Sequence, residues 1–250
     1  MNANRETART VGVLFIIGTV AGILSRVVMG PIQNTQDYLL GVPASETRLV
    51  VGALFILMMG LALAMVPVMM FPILRKHNET LALGYVVFRG GLEAVAYLAI
   101  ATSWLLLVPL SQIYAQSGAS DASNAQALGT VLLETKEIGS ILTIVFCIGA
   151  LIFNYLLYRT GLVPRWLSGW GLIAIAPYFA AGLLAMFGVI TALSPIYATL
   201  NLPLALQEMV LAVWLIVKGF NSSATVFIAA KTEPNPDQVS TFDTPRMKLG

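Results

Sequence analysis

Apolar residues run along this chain in six long stretches, about Thr10 to Met29, Leu49 to Leu74, Leu81 to Leu110, Ile138 to Tyr158, Trp166 to Thr191 and Tyr197 to Phe220, separated by segments that hold most of the charge. A hydrocarbon core of about 30 Å takes roughly 20 helical residues to cross, so each stretch is long enough for a transmembrane helix. Continuous runs count against a β-barrel, whose strands show alternating segments of about ten residues. The pattern predicts an all-α, polytopic membrane helix bundle of six transmembrane helices over residues 1–220. Residues 221–250 turn polar and hold Pro234, Pro236 and Pro245, which predicts a flexible cytoplasmic tail.

Composition agrees. With 58% hydrophobic and 10% charged residues and a mean hydropathy of +0.83, the chain is far more apolar than a soluble domain. A net charge of +2 offers no basic face for nucleic acid, and one cysteine offers no disulfide framework. Most of the 14 basic residues fall on one side of the alternating spans: Arg5 and Arg9, Arg75 and Lys76, Arg159 and Arg165, then Lys218, Lys231, Arg246 and Lys248. The excess of Lys and Arg marks the cytoplasmic side, so both termini are expected there, with the bacterial inner membrane as the expected location. The first apolar run is too long for a secretory signal and has no small-residue cleavage site after it, so it reads as an uncleaved span. The outer connectors, Gly30 to Arg48 and Ser111 to Ala127, read as solvated loops.

Helices in lipid associate through small residues and polar contacts. Gly18 and Gly22 form a GxxxG in the first span, and Ala181 and Ala185 a small-xxx-small pair in the fifth, both expected to serve close contacts within the bundle. Pro67 and Pro177 fall inside spans two and five and predict kinks. Cys147 reads as a small apolar filler, and Trp104, Trp166, Trp170 and Trp214 as interfacial belts and packing.

The informative residues are ionisable ones far from a headgroup. Arg89 and Glu93 interrupt the third span at four-residue spacing, hence on one helix face. With a boundary near Leu83, Glu93 lies about 15 Å deep; Glu208, ten residues before Lys218, lies about as deep in the sixth span. A charge at such depth costs at least about 2.5 to 3.5 kcal/mol, so these groups are expected to face the interior and find partners. Two ionised carboxylates against one guanidinium leave a net charge of minus one, which calls for a proton, a cation or a further donor. Gln207, beside Glu208, and Tyr97, one turn past Glu93, are the candidate donors. One reading is a proton, cation or small-molecule site at midplane; the other is a buried Arg/Glu lock between the third and sixth helices. Glu134, Lys136 and Glu137 form a second cluster at the start of the fourth span, read either as a solvated helix start or as the outer rim of a vestibule.

Several chemistries lack their parts. His77 is the sole histidine and falls in a connector, so multi-histidine zinc and haem sites and a Ser/His dyad are not built; no metal or cofactor is expected. Asp37, Asp121, Asp237 and Asp243 all lie outside the apolar runs, which leaves no intramembrane aspartyl dyad. Gly90-Gly91 sits within a span and lacks the strand a phosphate loop requires.

Three stretches carry a resemblance: Tyr158 to Leu172 (YRTGLVPRWLSGWGL), Tyr85 to Glu93 (YVVFRGGLE) and Leu202 to Phe220 (LPLALQEMVLAVWLIVKGF). Together they resemble the bacterial membrane family called domain of unknown function 4386, over nearly all of residues 9–220. The resemblance implies that Arg89, Glu93, Arg165, Glu208 and Lys218 belong to the family's core signature, and it implies no biochemical activity. Three function classes stay open. The first is a small transporter or binder of a proton, cation or small molecule, with three spans per inverted half matching Glu93 in span three to Glu208 in span six. The second is a non-catalytic scaffold, sensor or partner-binding component. The third, ranked last because no nucleophile or metal accompanies the carboxylates, is an intramembrane enzyme using Glu93 or Glu208 on a lipid. Membrane lipid is an expected partner, a proton, cation or small molecule a possible ligand, and nucleic acid is not expected; protein partners are unspecified.

Overall fold

The computed structural model describes residues 2–33, 38–116, 119–192 and 194–221, and its regular elements there are all helical. They are α1 (Asn2–Gln33), α2 (Tyr38–Leu74), α3 (Glu79–Tyr85), a π-helical segment (Val86–Leu92), α4 (Glu93–Leu105), α5 (Leu107–Gln116), α6 (Ala119–Glu134), α7 (Lys136–Thr160), α8 (Arg165–Met186) and α9 (Pro195–Val217). Six stretches are long and apolar enough to cross a membrane: Asn4–Gly30, Ser45–Leu74, Glu79–Gln116, Ser123–Thr160, Arg165–Met186 and Pro195–Val217. Each contains or overlaps one of the apolar runs read from the sequence. The tail expected over 221–250 lies outside the described residues apart from Asn221, whose backbone N–H donates to the Leu162 carbonyl at 2.8 Å.

Residues in the turns fix where the helices stop. Asn78 caps α3 by accepting from the Leu81 N–H at 2.9 Å, and Ser194 caps α9 by accepting from the Tyr197 N–H at 3.2 Å. Gly161 ends α7 at φ +65, a left-handed conformation that a glycine adopts without a Cβ penalty. The connectors between spans one and two and between spans three and four differ from the solvated loops expected. Helix α1 continues to Gln33 and α2 begins at Tyr38; α5 continues to Gln116 and α6 begins at Ala119. Burial supplies the reason, since Ile32, Leu39, Val42, Leu110 and Ala125 all pack into the main core, and the Trp104 indole N–H ties α4 to α6 through the Leu133 carbonyl at 3.2 Å. Apolar faces persist past the membrane-length stretch, so the helices do too. The third stretch, at 38 residues, is well beyond the roughly 20 that a hydrocarbon core takes.

Packing follows chain order round a closed ring. Helix α1 packs on α2, α2 on the third span, that span on α7, α7 on α8, α8 on α9, and α9 back on α1. In a six-membered ring the third and sixth members face each other across the interior. Close approach relies on glycine where it counts: a Cβ on Gly18 would meet Leu63 at 2.8 Å, and one on Gly12 would meet the Ala212 carbonyl at 2.6 Å. The GxxxG glycines thus seat α1 on α2 within the chain. Ser25 stitches the same pair by donating to the Gly52 carbonyl at 2.8 Å. The outward face is apolar, with Ile173 76% and Leu61 69% exposed, a surface that lipid covers and water does not. The chain is a multi-pass membrane protein.

Candidate functional site

The third span is not a plain α-helix where its charges sit. Val86 and Val87 are β-branched and Gly90 and Gly91 favour helix poorly, so this stretch holds an α-helical pitch weakly. It widens into the π segment, and the Glu93 N–H reaches back to the Phe88 carbonyl, five residues earlier. Neighbours close on the widened turn. A Cβ on Gly149 of α7 would meet Arg89 Cβ at 3.2 Å and its backbone N at 3.3 Å, and one on Gly90 would meet Pro67 Cγ of α2 at 3.2 Å. Arg89 is thereby clasped at its backbone with its side chain turned into the ring.

That side chain bridges two carboxylates. Arg89 Nη2 donates to Glu208 Oε1 at 2.9 Å, from the third span to the sixth. Arg89 Nη1 lies 3.3 Å from Glu93 Oε2, an ion pair without hydrogen-bond alignment, while Tyr97 Oη donates to Glu93 Oε1 at 3.1 Å. The guanidinium carbon sits 4.3 Å from the centroid of the Phe146 ring, which gives it a cation–π partner. Arg89 is 2% exposed and Glu93 1%, whereas Glu208 keeps 22%.

A neutral network adjoins the charged one. The amide of Gln207 is expected from sequence to serve the carboxylates, but its Nε2 donates instead to Asn154 Oδ1 of α7 and to the Leu167 carbonyl of α8, both at 3.2 Å. Gln207 and Glu208 are consecutive on a helix, so their side chains point about 100° apart and reach different partners. Asn154 in turn donates to the Ala150 carbonyl at 3.0 Å and lies so close to α8 that a Cβ on Gly171 would overlap its amide. Three spans are thus joined beside the ion cluster. Tyr85, one turn before Arg89, stacks on Phe153 with ring centroids 4.7 Å apart and planes 4° apart.

Sequence reasoning missed Asn154, Tyr85 and Phe146. Asn154 had a signal, being a strongly polar residue in the middle of the fourth apolar run, where an amide needs a partner. Tyr85 had a weaker one, four residues before Arg89. Phe146 had none. In the second cluster, Glu134 is exposed at the end of α6, Thr135 breaks the helix at φ +47, and Lys136 opens α7. Glu134 therefore closes one helix instead of starting the next, and no unbroken helical face carries it to Glu137. The side chains of Lys136 and Glu137 lie outside the described residues. No group of three His, Cys, Asp or Glu able to hold a metal occurs among the described residues.

Fold and site together define a class: a six-span helical membrane protein with an ion cluster joining its third and sixth spans. The family model described as Domain of unknown function (DUF4386) matches residues 10–219, and the chain belongs to that family. No curated protein and no solved structure matches the chain.

Proposed function

We propose that this protein binds and releases a proton at the Arg89, Glu93 and Glu208 cluster, the elementary step of a proton-driven membrane carrier. The observation that carries the reading is charge stoichiometry in a dry place: two carboxylates share one guanidinium where Arg89 and Glu93 are 2% and 1% exposed. Ionised together, they leave one uncompensated negative charge in surroundings that penalise it. A proton removes the excess most compactly. A small organic molecule is the poorer occupant, because the cavity at the cluster offers the centre of a water molecule only about 10 Å³. Glu208, 22% exposed, is the more accessible carboxylate of the cluster. Exposed Arg5, Arg9, Arg75, Lys76, Arg159, Arg165 and Lys218 support cytoplasmic termini, and the bacterial inner membrane is proposed on the family resemblance alone.

Infrared titration of the reconstituted protein tests this. One carboxylic-acid band is expected to titrate in the wild type. It is expected to vanish in Glu208→Gln and equally in Glu93→Gln, because removing either charge balances Arg89. A wild type with no titrating carboxylic-acid band sinks the proposal. A second reading, a structural lock, draws on the direct span of Arg89 from the third helix to the sixth; unfolding measurements address it.

A further inference from the structure

We infer that the cavity beside Glu208 is a binding site for one water molecule, held by Tyr85 and Gln207, whose hydrogen bonds rearrange as the adjoining carboxylate cluster gains and loses its proton. The inference rests on the proposed reading of the Arg89, Glu93 and Glu208 cluster as a proton site and adds the ligand that services it. Two buried polar atoms point to the site independently. Tyr85 is 1% exposed and Gln207 0%, yet Tyr85 Oη and Gln207 Oε1 have no hydrogen-bond partner in the protein. Both residues line the same cavity, with Arg89, Asn154 and Glu208. Neither can turn to another use, since the Tyr85 ring is stacked on Phe153 and the Gln207 amide nitrogen is committed to Asn154 and Leu167.

Size and chemistry select the occupant. Room of about 10 Å³ for the centre of a water molecule is the lower bound for holding one, and a buried water needs two to four polar partners. Water satisfies both orphans at once, accepting from the Tyr85 hydroxyl and donating to Gln207 Oε1. A bare monovalent cation fits worse, because the Tyr85 O–H would have no acceptor and the Arg89 guanidinium lines the same space. When Glu208 is ionised, the water donates to it and to Gln207 and accepts from Tyr85. When Glu208 is protonated, its O–H donates to the water, which now accepts twice and donates once. No atom is gained or lost beyond the proton on Glu208. The titratable and charged groups around this place are Tyr85, Arg89, Glu93 and Tyr97 of the third span, Cys147 of α7 and Tyr178 of α8, while α1 contributes the apolar Phe15.

Infrared difference spectra between the protonated and ionised states, recorded on the reconstituted full chain in ordinary water and in water carrying oxygen-18, read the site directly. The expected result is an O–H stretching band that shifts with the isotope, alongside the carboxylic-acid band. Tyr85→Phe keeps the ring stack and is expected to lose the isotope-sensitive band while keeping the carboxylic-acid band; Gln207→Met is the second variant, and the wild-type isotope shift stands without either. A carboxylic-acid band with no isotope-sensitive partner, or a water band unchanged in Tyr85→Phe, overturns the water site and leaves the proton reading intact. Loss of the water band on adding sodium or lithium also overturns it, in favour of a cation site. Absence of the carboxylic-acid band itself overturns the underlying proposal.

Discussion

Replacing Arg89 by Met measures how much of the bundle hangs on one guanidinium. The variant replaces the aliphatic stem with a shorter, uncharged and polarizable side chain. It removes the hydrogen bond to Glu208 at 2.9 Å, the ion pair to Glu93 at 3.3 Å and the cation–π contact at 4.3 Å. What remains is two carboxylates in a site where Glu93 is 1% exposed. Breaking a buried pair by deleting one partner costs about 3–5 kcal/mol, mostly through the charge left unpaired. At about 1.4 kcal/mol per factor of ten, the unfolding equilibrium moves by roughly two to four powers of ten. The triple variant Arg89→Met, Glu93→Gln, Glu208→Gln removes the charges together, and neutral replacements of buried ion groups are often close to neutral in stability. It is expected to recover at least about half of the loss, a non-additivity that residues in one network show. Unfolding by a denaturing detergent in mixed micelles, followed through the fluorescence of the four tryptophans, reads both values. A single-variant cost below about 1 kcal/mol, or a triple variant as unstable as the sum of its parts, would refute the idea that buried charge pairing joins these spans.

Tyr97→Phe deletes the donor to Glu93 Oε1 and is expected to cost about 1–3 kcal/mol in the same assay, the penalty for a buried acceptor left unsatisfied; a neutral variant would mean that the hydroxyl is dispensable there. Gly171→Ala drives a Cβ into the Asn154 amide and is expected to cost about 1–3 kcal/mol, with Asn154→Ala recovering part of it in the double variant; strictly additive losses would disconnect the two. For topology, single cysteines in a Cys147→Ser background at Lys76 and at Phe187, which is 78% exposed, are expected to differ towards an impermeant maleimide. Phe187→Cys labels in intact cells and Lys76→Cys only after permeabilisation, and the opposite pattern overturns cytoplasmic termini.

The six spans were legible because lipid imposes one rule, apolar continuity over a minimum length, and every span meets it, the third despite Arg89 and Glu93. The helical connectors after spans one and three were not, since Ile32, Leu39, Val42 and Ala125 owe their helical setting to burial against other helices. Arg89, Glu93 and Glu208 stood out because charge at depth is costly, and a common depth could be counted from the span ends. Their pairing across the ring depends on packing order, with the first span against the last. The π segment left only a faint trace in Val86, Val87 and the two glycines. Gln207 adjoins Glu208 along the chain and so reads as a donor to the carboxylates, whereas packing against α7 and α8 takes up its amide nitrogen.

A lock and a proton site need not compete, because the same Arg89 serves both carboxylates unequally. Its aligned bond goes to Glu208 across the ring, while its contact with Glu93 on its own helix is unaligned. Under the proposed function, a proton on Glu208 removes the charge that holds the cross-ring bond, and Glu93 becomes the full counter-ion. The link between the third and sixth spans then weakens as the link within the third span strengthens. Proton binding is thereby converted into a change in how two opposed helices hold each other, which is the kind of change alternating access requires. The coupling energy between Arg89→Met and Glu208→Gln, taken from double-mutant cycles at acidic and at neutral pH, reads this conversion. It is expected to fall on acidification, and an equal value at both would leave Arg89 as a fixed strut.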